Sequence, residues 1–213
     1  MLKKNESLNF RFTFRLNIDG ADRYDPYNDN YFNYMESPII LEKAYENTIR
    51  KKKIGSIVLI YLHGNRAFNN DMDIVDICDS ESQEIYEYAN SIYHNGYINE
   101  KYNDMPRSND VLILHKIMIN KKYQGRGYGL IISKKVIEVI GSNCGAVLIK
   151  PYPIQFSLDK ENKDEWNNDY LSERFNSDKE NCRKKILKYW RQLSKHTPIN
   201  KTANPNIICF PQS

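Results

Sequence analysis

No stretch of this chain approaches the roughly 18 consecutive apolar residues that a membrane-crossing helix needs, so no transmembrane segment is expected. The first ten residues, MLKKNESLNF, lack the apolar core of a secretory signal, and a cytoplasmic, soluble protein is the expectation. Cysteine is sparse: Cys78, Cys144, Cys182 and Cys209 lie far apart, with no CxxC pair and no histidine at zinc-ligand spacing. Neither a metal site nor a redox pair is signalled, and reduced structural thiols fit better. Nor is charge of one sign in large excess, since 31 Lys and Arg against 27 Asp and Glu leave a net +4. That field is too mild for the concentrated basic stripe of a dedicated nucleic-acid binder, and it suits an anionic small ligand equally well. No repeat at solenoid periods is present.

What is there reads as one domain of 213 residues. Residues 8–18, LNFRFTFRLNI, alternate apolar and polar positions and predict a half-buried strand. The Tyr-rich segment from Ala21 to Pro38 reads as a loop, and its Tyr24, Tyr27, Tyr31, Phe32 and Tyr34 suggest either an aromatic lining or a patch covering the core. Two strands are expected over Ile39–Arg50 and Ile54–Leu62, with the basic run Arg50–Lys53 as an exposed turn between antiparallel neighbours, and His63-Gly64-Asn65 ending the second. One or two helices fit Asp71–His94, with a break near Asp79-Ser80. After a loop over 95–110 come a strand over Val111–Ile119, a glycine loop, a helix to about Ile140 stopped by Gly141-Ser142-Asn143, and a strand over Ala146–Ile149. A charged segment, 157–181, carries Trp166, Tyr170 and Phe175. A helix follows from Cys182 to Leu193, then short strands near Pro198–Asn200 and Asn206–Phe210.

The stretch that carries chemistry is Gln124-Gly125-Arg126-Gly127-Tyr128-Gly129, three glycines in five positions followed at once by an amphipathic helix. A helix that starts after such a turn presents unpaired N–H groups and its positive dipole end, a site for phosphate-like anions. Lys121, Lys122 and Arg126 add positive charge beside it. A Walker loop requires Lys at an offset this stretch does not supply, and in a dinucleotide-binding turn the third glycine would come one position later. A glycine turn that merely caps a core helix stays open at this point.

The hexapeptide matches [Q/R]xxGx[G/A], and with the preceding LHKIMINKKYQGRG it resembles the strand and pyrophosphate loop of the GNAT superfamily of acyl-CoA N-acyltransferases. Against that family's LxVxPxYRGxG, Ile117, Ile119 and Tyr123 take matching places and Lys121 replaces the frequent Pro. Downstream, KKILKYWRQLSK resembles the helix that commonly ends FYxxLGF, with Tyr189 at the Phe place, Trp190 at the Tyr place, and Ser194 and Lys195 for Gly and Phe. LIKPYPIQF looks like the KPFPLQ of a mostly uncharacterised subgroup. The resemblance covers residues 111 to about 210, with its motif support in the first third of that span; residues 1–110 share only a compatible order of elements.

The resemblance implies an α/β (α+β) fold: a mixed, largely antiparallel central sheet with two splayed parallel strands, flanked by helices. It divides the domain into N-terminal strands and helices (1–110), an acyl-CoA-binding core (111–153), an insertion (154–181) and a C-terminal helix with strands (182–213). It further implies an acetyl-CoA-dependent N-acetyltransferase that passes an acyl group to an amine by direct attack, the amine belonging to a small molecule, a peptide or an aminoacyl group. Ile117, Met118 and Ile119 would offer main-chain groups to the pantetheine arm, and Gln124, Gly125, Arg126, Gly127, Tyr128 and Gly129 would hold the diphosphate. His115 is the candidate base, since it interrupts an apolar strand, titrates near neutrality, and stands in an LHKI that resembles the LHRL of arylalkylamine acetyltransferases. A core histidine is the plainer reading of the same residue. Tyr189 is the candidate acid if it turns inward, because the indole of Trp190 cannot protonate a thiolate. A CoA-binding or partner-binding protein of the same fold without transfer activity, and a basic RNA- or protein-binding module, are the alternatives.

Overall fold

The computed structural model describes residues 5–10, 13–14, 31–103, 106–151, 178–195 and 200–212. The expectations for Arg15–Ile18, Tyr24, Tyr27, most of the 154–181 segment with its Trp166, Tyr170 and Phe175, and KPYPIQF beyond Pro151 fall outside them. The strands are β1 (Glu6–Phe10), β2 (Thr13–Phe14), β3 (Phe32–Tyr45), β4 (Thr48–Leu62), β5 (Tyr93–His94), β6 (Tyr97–Ile98), β7 (Val111–Ile119), β8 (Ala146–Ile149), β9 (Asn200–Lys201) and β10 (Ile208–Pro211). The helices are α1 (Gly64–Asn69), α2 (Ile74–Glu81), α3 (Gln83–Ile92), α4 (Tyr128–Val139) and α5 (Lys179–Trp190).

Eight strands form one mixed sheet in the order β1-β3-β4-β7-β8-β10-β9, with β2 also on β3; β5 and β6 make a separate small hairpin. Only β7 and β8 run parallel; the other pairs are antiparallel. Side chains alternate across this sheet as a period of two dictates. Val111, Ile113, Ala146 and Leu148 pack on one face with residues of α1, α2 and α3. Leu112, Leu114, Val147 and Ile149 pack on the other with Tyr128, Ile132 and Val136 of α4. Helices therefore cover both faces, and the four residues of β8 are all buried, as expected of a central parallel strand.

Three sequence expectations are corrected. Phe32–Pro38 is strand, not loop: Met35, Ser37, Ile39 and Leu41 alternate inward, but Ser, Tyr and Asn in the pattern hide the period. Pro38 lies between the β1 and β2 pairings, a seam where a missing N–H is tolerated. The β3–β4 turn is Glu46-Asn47, and Arg50–Lys53 lies within β4. Cross-strand partners offset that run of charge: Lys51 is 2.7 Å from Glu42, and Arg50 sits over the Tyr45 ring at 5.3 Å. The helix break comes at Ser82, whose hydroxyl accepts from Ile85 N and caps α3, just as Asp73 caps α2 by accepting from Val75 N.

Candidate functional site

The parallel pair parts halfway along β7. Val111–Leu114 pair with Ala146–Ile149, β8 then ends, and β7 continues through Ile119 with only β4 paired to it among the described residues. A bulge falls at the same point: Leu59 faces Leu114 while Val58 faces Lys116, so His115 is the extra residue. The bulge shifts the alternation by one. Leu112 and Leu114 face α4, and beyond the bulge it is Ile117 and Ile119, not Lys116 and Met118, that pack on that side.

Each member of the 117–119 triplet has its own setting. A Cβ on Gly55 of β4 would lie 2.0 Å from the Met118 carbonyl oxygen, so that carbonyl is turned towards β4. Neighbouring carbonyls alternate along a strand, which leaves those of Ile117 and Ile119 on the edge where β8 has ended. The Ile119 carbonyl is engaged: Gln124 donates to it from Nε2 at 2.7 Å, tying the loop back to the strand that feeds it. Gln124 is thus a clamp between strand and loop.

The loop leads into α4 through left-handed residues, with φ of 76° at Gly125 and 79° at Gly127. Gly127 is the N-cap of α4, and a Cβ there would meet nothing within 4 Å, so the backbone faces open space. Glycine is required at 125 and 127 by conformation. Arg126 is exposed between them, with its guanidinium 5.5 Å from the Tyr123 ring centre. Tyr128 is buried among the core residues facing α4 and donates to Glu6 across 3.4 Å, so its contribution to the loop mouth is main-chain.

Gly129 serves a different purpose. A Cβ there would lie 2.3 Å from the Tyr189 hydroxyl and 3.9 Å from Ile117 Cγ2, so the third glycine makes room for a side chain arriving from α5. Tyr189 accepts the Leu130 N–H in the first turn of α4, and burial pushes its phenol up to about 12, against the lowering effect of that bond. The hydroxyl stays protonated at neutral pH. Its neighbour Trp190 packs edge-on at 5.1 Å and lies half-buried against the core on the α4 side. The structure therefore brings Tyr189, and not Trp190, to the start of α4, in one neighbourhood with Gly129 and Ile117.

His115 looks the other way, towards α3, with Nδ1 3.8 Å from Glu84 Oε1 and a side chain only 10% exposed. Its Nδ1 has no hydrogen-bond partner among the described residues. Burial holds its pKa below the usual histidine value; Glu84 acts upward, and Lys116 and Lys150 act downward. A neutral imidazole on one face of β7 and a protonated phenol on the other, beside a strand edge and an amide-lined loop, can remove one proton and deliver another. Glu84 was not legible as part of this site, because α3 reads only as a core helix and nothing in its spacing points to β7. Among the described residues no cluster of three or more His, Cys, Asp or Glu could hold a metal ion, and no helix is long and apolar enough to cross a membrane.

No family model matches the chain, and no curated protein matches it. Among solved structures, a chain in the crystal structure of a KacTA–DNA complex aligns at 11% identity over 96% of this chain and 93% of that one, with a TM-score of 0.37. At that level the likeness carries no argument about fold or function, and the geometry of β7, the loop and α4 stands on its own.

Proposed function

We propose that this protein is an acetyl-CoA-dependent N-acyltransferase with a GNAT-like arrangement of its central strands. The observation that carries the reading is a conjunction: the pairing of β7 with β8 stops at Leu114, and past the end of β7 at Ile119 the chain turns through left-handed Gly125 and Gly127 into α4. The residues present fit the donor. Gly127 opens onto space that a diphosphate would occupy, left-handed Gly125 shapes the turn before it, the first amides of α4 would face the group, and exposed Arg126 stands beside it. Ile117 leaves main-chain groups on the open strand edge for an amide-bearing arm, with Met118 and Ile119 as its walls.

Bound acetyl-CoA supplies the thioester carbonyl. His115 accepts the proton that the acceptor amine must lose, and its depressed pKa keeps it neutral and able to do so. Tyr189 holds an O–H for the departing sulfur. The amine nitrogen gains the acyl group, the C–S bond breaks, and the two proton transfers balance. No covalent acyl-enzyme is needed.

Thermal denaturation with and without acetyl-CoA and CoA tests the cofactor: at a hundredfold excess over Kd, binding should add about 2.7 kcal/mol of stability. No shift with either ligand defeats the reading. Loss of thioester consumption in His115→Ala, with CoA binding retained, then assigns the base. One observation favours a second reading, a CoA-binding protein without transfer activity: burial pushes the Tyr189 phenol up to about 12, which makes it a weak proton donor for a thiolate. Under that reading CoA stabilises the chain, and no amine in a broad panel is acylated.

A further inference from the structure

We infer that Glu84 is the positioning carboxylate of His115: it accepts the Nδ1–H and thereby leaves the Nε2 lone pair to meet the acceptor amine. The inference rests on the transferase reading for its function, but not for its geometry. The His115 Nδ1 is buried and has no hydrogen-bond partner among the described residues, an arrangement that native interiors seldom leave unresolved. Two other charged groups act on the ring. Lys116 adjoins it on β7; Lys150, just past β8, is held 2.9 Å from Glu87 of α3. Ammonium groups can only donate, so neither lysine can accept from Nδ1. Glu87 is committed to Lys150, and Glu84 remains as the acceptor facing the ring.

The separation of 3.8 Å between Nδ1 and Glu84 Oε1 exceeds a hydrogen bond by less than an ångström. Glu84 is 49% exposed and has no other ion-pair partner among the described residues, so a change of rotamer can close the gap. The backbone beneath it is fixed: Ser82 caps α3, and Ile85, Tyr88 and Ala89 are buried in its first two turns. A carboxylate at Nδ1 selects the tautomer protonated there, and it favours the imidazolium formed when Nε2 takes a proton. The bulge at His115 has a use on this account, since it leaves the ring on the α3 side with Ile113 and turns Ile117 to the α4 side.

The test uses the full chain labelled with 15N at its histidines, comparing wild type, Glu84→Gln and Glu84→Asp, with His115→Asn to assign the signals. In wild type the neutral His115 should carry its proton on Nδ1. In Glu84→Gln the population should move towards Nε2–H and the titration midpoint should fall, while Glu84→Asp keeps both close to wild type. A wild-type ring protonated on Nε2, or a midpoint identical in wild type and Glu84→Gln, overturns the proposal. In acetyl-CoA turnover, Glu84→Gln should lose part of the roughly 10²–10⁴-fold that a general base supplies, with KM for acetyl-CoA unchanged. Should the tautomer and midpoint behave as expected while acetyl-CoA fails to bind, the His115–Glu84 pair stands and the transferase reading alone falls.

Discussion

Replacing Gly129 with alanine separates two opposite expectations. On helix propensity alone the change should stabilise the chain by up to about 1 kcal/mol, because Gly is the poorer residue inside a helix. The packing says otherwise. The new Cβ would stand 2.3 Å from the Tyr189 hydroxyl, so the tip of that ring must retreat by roughly 1 Å to reach ordinary contact. Overpacking of this kind costs about 1–3 kcal/mol, and losing the bond from Leu130 N–H adds about 0.5–1.5 kcal/mol. After subtracting the propensity gain, the net loss is about 0.5–3.5 kcal/mol, a fall in Tm of roughly 1–14 °C for a chain of this size. Because the offending atom is one oxygen, the partner change is decisive: in a Tyr189→Phe background, Gly129→Ala should be neutral or stabilising. Denaturant unfolding of the four proteins gives the coupling directly. A Gly129→Ala protein as stable as wild type, or one that Tyr189→Phe fails to rescue, would refute the claim that the third glycine exists to admit Tyr189.

Two further outcomes follow from buried groups. His63 and His115 both have their folded pKa lowered by burial from 6.5, so the unfolded chain binds their protons first. Their contribution to stability is full above about pH 6.5 and is lost as the pH falls towards their folded values; unfolding midpoints from pH 8 to 5 should decline, and less steeply in His115→Asn. Asn109 accepts Ile98 N–H at 2.7 Å and donates to Gly96 O at 2.6 Å, so Asn109→Ala should cost about 2–4 kcal/mol by leaving both groups unpaired, measured by urea unfolding.

The central segments were legible because their signals are local. Val111–Ile119 and Ala146–Ile149 are short apolar runs bounded by turn residues, and the glycine spacing before α4 needs no knowledge of the rest of the chain. β3 was less legible: Met35, Ser37 and Ile39 turn inward, but Tyr34, Glu36 and Pro38 between them read as loop chemistry. The basic run Arg50–Lys53 misled for a related reason. Charge suggests a turn when seen alone, yet Glu42 across the strand makes it a tolerable ladder.

The residues of the candidate site divide along the same line. Conformation is a property of a few adjacent residues, so the sequence by itself determined that Gly125 and Gly127 form a turn, that a helix follows, and that His115 interrupts an apolar strand. What a side chain meets is a property of the fold. The bulge that turns Ile117 and not Lys116 to the α4 side, the packing of α3 that sets Glu84 beside His115, the end of β8 ahead of the last residues of β7, and the arrival of Tyr189 rather than Trp190 over Gly129 were decided only in three dimensions. Each depends on register or on contact between residues 31 to 60 positions apart, and sequence spacing carries no information about which distant backbone will occupy that space.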